Sequence, residues 1–363
     1  MHRFWSGQPV FHIYDMLSWI WPKGIIQHSL PEKTKYYNWQ IECLPFNKMS
    51  AEKKDLLFYL IRSHFDFMKN TDYTPLKRQV LEYFKCHSSS PIISLHFEYF
   101  PTLNADIGTM TKKLLSCATS RTVTGHLNAK EIKVSYIDFL CVNGKDSDVK
   151  EKQLYTHYCK ARALGVPPIF LFRDKKIAIL VPLTIYNIYA FPVKKYTTPN
   201  FDLPNNISCH LITSQNFELL VHYFGEIKKN FSCFLMPDLS HFKNLIEHSL
   251  IIPVLILDKV EPIGVYFYKY DNTSHEGETC MRCIGSYHSK NYKQIFLESY
   301  CNSIVLLKKY KFSIILIENI SYNHKLIKMI MLVDIPKWSE SAAYYFYNFV
   351  YKPFFSPNVL ILN

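Results

Sequence analysis

Apolar residues recur at helical spacing in two stretches of the first hundred residues. The first stretch is 46–70, with Ser50 as the predicted helix cap. The second is 74–84, with Thr74 as the cap and Pro75 at the first helical position, where a missing N–H costs no hydrogen bond. The pattern therefore predicts two consecutive helices.

Apolar runs bounded by turn residues predict strands after these helices. The runs are "PIISLHFEYF", "KVSYIDFLCV" and "PPIFLFRDKKIAILVPL". Asp174 and two lysines interrupt the third run, so we predict a hairpin there. Between the second and third runs, "DSDVKEKQLYTHYCKARAL" predicts a helix capped by Ser147 or Asp148.

The same order of elements starts again after 194–208, a segment rich in Pro, Asn and Thr that we predict to be a linker. The later elements are "SQNFELLVHYFGEIKKN", "PDLSHFKNLIEH", "LIIPVLILDKVEPIGVYFYKY", "TCMRCIGSYHS", "KQIFLESYCNSIVLLKKY" and "FSIILIENI". A last helix and strand close on "SESAAYYFYNFVYKP". Because the order helix, helix, hairpin, strand, helix, strand occurs twice, the sequence predicts two α/β lobes of similar plan.

The composition is that of a globular protein. Of the 363 residues, 48% are hydrophobic and 20% are charged, and the longest apolar runs are well below the roughly 20 residues of a membrane span. We recognise no signal peptide and expect a soluble cytoplasmic protein. The 10 cysteines are scattered apart from Cys280 and Cys283, so we expect reduced thiols and no metal site.

The net charge of +12 favours an anionic partner. Nucleic acid, a membrane surface and a phosphorylated cofactor all meet this condition, and charge alone does not separate them. The chain also ends unusually, on the apolar segment "NVLILN". Chain ends are normally polar and frayed unless something ties them down, so this ending predicts a final strand packed into the protein.

Three motifs and the chain end occur in the order, at the spacing and within the total length of one known family. They are "RFWSGQPV", "YIDFLCVNGK", "SAAYYFYNF" and the terminal "NVLILN". Together they resemble the eukaryotic glycylpeptide N-tetradecanoyltransferases (N-myristoyltransferases). The family has an aromatic pair before Gln-Pro-Val, the signature Glu-Ile-Asn-Phe-Leu-Cys-Val-His-Lys, a late Leu-x-Tyr-Tyr-Leu-Tyr-Asn-Trp segment and a short apolar final strand. The chain resembles a divergent member of it.

The resemblance implies an α/β fold of two pseudo-symmetric acetyltransferase-like lobes, each a mixed sheet flanked by helices. Residues 1–200 would form the lobe that binds acyl-CoA, and residues 201–363 the lobe that binds the peptide. The implied reaction moves myristate from myristoyl-CoA to the N-terminal glycine amine of a protein or peptide. The implied enzyme is a monomer that uses no metal, binds no nucleic acid and makes no stable insertion into a membrane.

The resemblance also implies which groups carry the chemistry. The α-carboxylate of Asn363 would take the proton of the glycine amine, since burial raises the pKa of a carboxyl group and makes it a better base. The backbone N–H groups of Phe139 and Leu140 would hold the thioester oxygen as it becomes an oxyanion.

The implied contacts with acyl-CoA come from the N-terminus, the signature strand and the loop after it. They are Arg3, Phe4, Trp5, Phe139, Leu140, Cys141, Val142, Lys145, Lys150 and Lys152. The family carries an Arg-Ser-Lys-Arg run in this loop, whereas the corresponding "NGKDSDVKEK" adds Asp146, Asp148 and Glu151 among its lysines. Binding of phosphates and a merely solvated loop are both open interpretations of this segment.

The implied peptide-binding residues lie near the chain end. They are Glu340, Tyr344, Tyr345, Tyr347 and Leu362. The family's Lys-Phe-Gly-x-Gly-Asp-Gly signature is absent from the corresponding "VDIPKWSES", which leaves Glu340 as the acidic group that could attract a basic peptide.

Three alternatives stay open on the sequence. A degenerate member of the family could bind acyl-CoA or peptide without turnover, and a related transferase could use a shorter acyl chain. A basic nucleic-acid-binding protein is the third, although there is no zinc finger, RNP-like motif or dense Lys/Arg tract. The bias toward Lys, Asn and Ile and the altered signatures suggest a fast-evolving source, such as a large DNA virus that acts in host cytoplasm.

Overall fold

A mixed sheet runs through the computed structural model, with helices packed against it. The structure describes residues 4–65, 68, 71–101, 110–144, 146–196, 203–270 and 272–363. The strands are β1 Gly24–Ile25, β2 Ile41–Pro45, β3 Asp72–Tyr73, β4 Ile92–Pro101, β5 Met110–Leu127, β6 Lys130–Val142, β7 Phe170–Asp174, β8 Thr184–Pro192, β9 Ile207–Leu211, β10 Cys233–Met236, β11 Ile251–Asp258, β12 Glu261–Lys269, β13 Thr273–His275, β14 Glu278–His288, β15 Ile314–Glu318, β16 Trp338–Tyr347, β17 Phe349–Val350 and β18 Val359–Ile361. The helices are α1 Met16–Ile20, α2 Ala51–His64, α3 Lys77–Glu82, α4 Ser147–Ala163, α5 Phe217–Lys229, α6 Leu239–Glu247, α7 Lys293–Leu307 and α8 Asn323–Ile330.

The two halves of the chain use the same pairings, which confirms the predicted pair of pseudo-symmetric lobes. In the first half, β2, β4, β5 and β6 pair as antiparallel neighbours and β7 joins β6 in parallel after α4. In the second half, β9, β11, β12 and β14 pair in the same way and β15 joins β14 in parallel after α7. The last strands then cross over: β16 pairs with β7, β8 pairs with β15, and β8 and β16 pair with each other. This exchange joins both lobes into one sheet.

Helices cover both faces of the first lobe. Along β4, Ile93 and Leu95 pack in the same apolar cluster as Leu57 of α2. Ser94, which points to the other face, bonds the ring of His157 on α4, and the same ring bonds Ser120 of β5. Burial lowers the pKa of His157 to about 3, so the ring is neutral and serves as a structural hydrogen-bond bridge.

The parallel strands β6 and β7 separate where the first lobe opens. Their pairing ends at Ile137 and Phe172, although β6 continues to Val142 and β7 to Asp174. Beyond this point the facing backbone edges of β6 and β7 have no ladder partner in each other, and a gap opens between the two strands.

The chain end forms the final strand that its apolar composition predicts. β18 pairs in parallel with β10, which in turn pairs with β5, so the last strand is anchored to the first lobe. Leu360 and Leu362 are buried in the core. Gly125 of β5 permits this arrangement, because a Cβ there would lie 1.8 Å from the carbonyl oxygen of Phe234 in β10.

Several local predictions are wrong in their details. The cap of α3 is Leu76 rather than Thr74, and the Gln79 side chain accepts from the Leu76 N–H. The cap of α4 is Asp146, one residue before Ser147.

The predicted hairpin at Asp174 does not form. β7 ends at Asp174 and pairs with β6 and β16, while the returning segment contributes only an isolated bridge between Leu180 and His12 before β8 begins. β7 therefore pairs with strands from distant parts of the chain rather than with the segment that directly follows it.

Candidate active site

Two adjoining pockets lie where β6 and β7 separate. The first pocket is lined by Phe65, Met68, Tyr136, Ile137, Asp138, Leu140, Lys150, Leu154, Phe172, Arg173, Asp174, Lys175, Ile188, Glu340, Ser341 and Ala342. The second is lined by Phe65, Tyr73, Gln79, Tyr83, Tyr136, Asp138, Phe139, Arg173, Leu250, Lys269, Arg282 and Asn363. Four residues line both pockets, namely Phe65, Tyr136, Asp138 and Arg173. The two pockets are therefore neighbours across the same stretch of β6.

Asp138 stands at the junction, in a bulge where two residues of β6 oppose Thr119 of β5. Both of its carboxylate oxygens accept from Arg121 Nε, at 3.0 and 3.1 Å, and the two side chains are almost fully buried. Burial raises the pKa of Asp138 above its usual range, while the positive charges of Arg121 and Lys269 act in the opposite direction. A carboxyl group whose pKa is raised by burial, at the junction of two pockets, is a candidate acid or base.

The chain end reaches the second pocket. Leu362 is fully buried and Asn363 is partly exposed, so the terminal carboxylate lies at the pocket wall rather than in bulk water. Lys269 Nζ donates to the Asn363 carboxylate at 3.0 Å. The resemblance implied a carboxylate that burial makes more basic; the structure places the Lys269 ammonium beside it.

The two backbone groups predicted to hold an oxyanion are in different situations. The Phe139 N–H donates to Thr119 Oγ1 at 3.1 Å in a buried contact, so this donor already has a protein acceptor. Leu140 lines the first pocket, on the side away from the chain end. An oxyanion held by both groups would require the Phe139 N–H to leave Thr119.

Carboxylates pair with the described lysines of the loop predicted to bind CoA phosphates. Lys145 lies outside the described residues, Lys150 pairs with Asp174 at 3.6 Å, and Lys152 pairs with Asp148 at 2.5 Å. The Asp146 side chain caps α4 by accepting from the Asp148 N–H. A carboxylate therefore occupies the helix N-terminus that would otherwise offer free N–H groups to a phosphate. Of these lysines, Lys150 alone lines the first pocket in the part of the chain that the structure describes.

Of the predicted acyl-CoA contacts from the N-terminus and the signature strand, some lie near the first pocket and others are buried away from it. Arg3 lies outside the described residues, and the ring of Phe4 is buried and packs edge-on against Trp5 and Tyr36. Trp5 is partly exposed and stacks on Phe172, which lines the first pocket. Cys141 and Val142 are buried and partly buried, respectively, beyond the pocket.

The predicted peptide-binding tyrosines line neither of these two pockets. Tyr344, Tyr345 and Tyr347 are all buried in the core, and Leu362 is buried in a separate apolar cluster. The Tyr347 hydroxyl donates to Gln8 Oε1, so this side chain acts as an internal support.

Tyr345 has a similar role, since its hydroxyl accepts from the Ile177 N–H. Glu340 is the predicted peptide contact that does line a pocket, where it pairs with Lys175 at 3.7 Å.

Sequence reasoning missed two arginines that line the second pocket, Arg173 and Arg282, and the carboxylate that pairs with both. Glu318 of β15 pairs with Arg173 at 3.5 Å and with Arg282 at 3.4 Å, and all three side chains are buried or nearly so. Each one interrupts an otherwise apolar strand, in "FLFRD", "TCMRCIG" and "IILIENI". A single charge inside an apolar strand is the sequence signal that could have identified them, since such charges are rarely buried without a partner.

Two kinds of feature are absent from the described ranges. No group of three or more His, Cys, Asp or Glu side chains that could hold a metal ion is found there. Within the same residues, no helix combines the length and apolar character needed to cross a membrane.

Comparison with known proteins rests on structure rather than on sequence. No family model matches the sequence, and no curated protein is significantly similar to it. Saccharomyces cerevisiae N-myristoyltransferase with bound myristoyl-CoA superposes with a TM-score of 0.74 at 12% identity, covering 98% of this chain and 94% of that one. The same yeast protein with bound myristoyl-CoA and inhibitors gives 0.72 at 12% identity, covering 98% and 92%.

A second kind of neighbour shares part of the fold. A GCN5-related N-acetyltransferase from Kribbella flavida gives a TM-score of 0.50 at 10% identity, covering 84% of this chain and 70% of that one. The match agrees with the acetyltransferase-like lobes that the sequence resemblance implied. The chain thus has the two-lobed fold of the N-myristoyltransferases, and the resemblance seen in its motifs is confirmed at the level of the fold.

Proposed function

We propose that this protein transfers a myristoyl group from myristoyl-CoA to the N-terminal glycine amine of a protein or peptide. The observation that carries the proposal is the position of the chain end, which brings the Asn363 carboxylate to a pocket that adjoins the bulge of β6. The reaction needs a base beside an amine and donors beside a thioester oxygen, held in one site. We assign the reaction to the cytoplasm.

The two pockets suggest a division of the substrates. The first pocket has apolar walls at Leu140, Leu154 and Phe172 and a lysine, Lys150, at its edge, so it would take the acyl thioester and the phosphate-bearing part of the donor. The second pocket would take the glycine amine beside Asn363. Residues 1–200 would then hold the donor, while 201–363 and the chain end would present the acceptor.

An assay with three peptides tests the proposal. Purified protein is incubated with myristoyl-CoA and a peptide that begins with glycine, with alanine, or with N-acetylglycine. We expect acylation of the first peptide and little or none of the others, because the Ala side chain crowds the amine and acetylation removes the nucleophile. Acylation of all three, or of none, would contradict the proposal.

A second candidate function is acyl-CoA or peptide binding without turnover. The observation that favours it is the neutralised donor site, where Asp146 caps α4 and carboxylates pair with Lys150 and Lys152. Absence of transfer together with calorimetric binding of myristoyl-CoA would support this candidate.

Asp146→Asn should tighten CoA binding about two- to fivefold. Asn caps helices as well as Asp and can still accept from the Asp148 N–H, while the change removes a negative charge worth about 0.3–1 kcal/mol at a helix N-terminus. Calorimetry with CoA at low salt measures the effect. Glu226→Gln, which changes an exposed carboxylate outside both pockets, is the control. Unchanged affinity in Asp146→Asn would mean that phosphates do not approach α4.

A further inference from the structure

A continuous hydrogen-bonded path joins the chain end to Asp138. Lys269 Nζ donates to the Asn363 carboxylate at 3.0 Å and to the Tyr83 hydroxyl at 3.1 Å. Arg121 Nη2 donates to the same hydroxyl at 2.7 Å and Arg121 Nε donates to Asp138. Since the Tyr83 oxygen accepts from two cations, its proton is left to donate, and Asp138 is the carboxylate it interacts with.

The two carboxylates at the ends of this path differ in the pockets that they line. Asp138 lines both pockets and directly precedes Phe139 and Leu140, whose amides are the proposed oxyanion donors. Asn363 lines only the second pocket. A group that reaches the carbon under attack must stand at the junction, and of the two carboxylates Asp138 has that position.

The chemistry supplies a reason for two carboxylates. A glycine ammonium must lose two protons to become an amide nitrogen, one before it attacks and one after. A single carboxylate that has taken the first proton cannot take the second until it is regenerated.

We propose that Asp138 is a second proton acceptor, which removes the proton from the nitrogen after the new carbon–nitrogen bond has formed. The inference rests on the proposed function and concerns the same site. The signature that "YIDFLCV" resembles has Asn where this chain has Asp138, so an ionisable group at this position is a feature of this chain.

The two protons leave the glycine nitrogen in separate steps. The Asn363 carboxylate takes one proton from the ammonium, and the amine attacks the thioester carbon, so that the carbonyl electron pair moves onto oxygen. As the carbonyl re-forms and the carbon–sulphur bond breaks, Asp138 takes the second proton from nitrogen and passes it to the thiolate. The products are the amide and the thiol, and the proton on the Asn363 carboxylate returns to solvent.

Burial and the neighbouring charged and titratable groups determine the pKa of Asp138. The titratable and charged groups that face it come from β5, β6, β12 and the end of α3, and they are Arg121, Tyr136, Lys269 and Tyr83. Burial raises its pKa above that of an ordinary carboxyl group, which makes the carboxylate a better proton acceptor, while Arg121, Lys269 and Tyr83 act in the opposite direction. At a pH below its pKa, Asp138 is protonated and cannot accept.

Asp138→Asn tests the inference through the pH profile of transfer. We expect the wild-type rate at saturating substrate to fall at acid pH as Asp138 is protonated. The variant should be about 10²-fold slower at pH 7 and should lose the part of the acid limb that belongs to Asp138, leaving the part that belongs to the Asn363 carboxylate. Tyr83→Phe, which keeps the carboxylate and breaks the path, should shift the limb with a smaller loss of rate. Glu226→Gln, which removes a carboxylate outside both pockets, should match the wild type throughout.

The outcomes separate this inference from the proposed function. A wild type that transfers myristate while Asp138→Asn retains both its rate and its acid limb would overturn the inference alone. A wild type that transfers nothing would overturn the proposed function and the inference with it. Should Asp138→Asn fail to fold, an unchanged profile in Tyr83→Phe would still contradict the inference, because loss of the Tyr83 hydroxyl must move a limb that belongs to Asp138.

Discussion

Conversion of the Asn363 carboxylate to a carboxamide will reduce myristoyl transfer by about 10²–10⁴-fold, the range that a positioned general base contributes. The change replaces one oxygen atom by nitrogen, so it removes the negative charge without shortening the chain. It also avoids deleting Leu362, whose burial makes truncation a test of stability as much as of catalysis. Semisynthesis that joins a short C-terminal peptide amide to the rest of the chain would supply the protein.

The matched control is the same semisynthetic protein with a free carboxylate. Both forms should bind myristoyl-CoA with equal affinity, because Asn363 does not line the first pocket. Equal rates of transfer in the two forms would show that the chain end is a structural strand and not a base.

Arg121→Met will lower the free energy of unfolding by about 3–5 kcal/mol, the cost of leaving one charge of a buried ion pair without its partner. The Arg121 side chain is fully buried, bonds both oxygens of Asp138 and also donates to Tyr83. Its removal leaves a buried carboxylate to be protonated or hydrated. Urea unfolding at pH 7 measures the loss.

Two further variants show whether the effect comes from the stranded charge. Adding Asp138→Asn to Arg121→Met should recover part of the loss, since no charge is then left buried. Lys77→Met, which breaks the exposed pair with Asp55, should cost no more than about 1 kcal/mol. A loss of that small size in Arg121→Met would contradict the buried pair.

The order of helices and strands could largely be predicted because burial there follows simple periods. The Ser50 cap of α2 and the hairpin of β11 and β12 are confirmed, since both depend on residues close together in the sequence. β5 was missed although it spans 18 residues. Helices cover both of its faces, yet much of what it buries is polar, so neither an alternating nor a continuous apolar pattern appears. These residues are Ser116, Thr119, Ser120, Arg121 and Thr122.

The site could be predicted only in part, for a related reason. The chain end and the signature strand were identified from motifs, and both line the second pocket. The ion pairs that determine its electrostatics join residues far apart in sequence, such as Lys269 with Asn363 and Arg173 with Glu318. The burial of the tyrosines near the chain end could not be predicted, because a buried aromatic strand and a ligand-binding wall have the same composition.

The central claim is that this fold still holds a long-chain acyl donor, and calorimetric binding tests it most directly. Myristoyl-CoA, acetyl-CoA and CoA are titrated into the purified protein under one set of conditions. Because each buried methylene contributes about 0.8 kcal/mol, we predict that myristoyl-CoA binds at least about 10²-fold more tightly than acetyl-CoA. Equal affinities for the three ligands, or no binding of any, would contradict the claim.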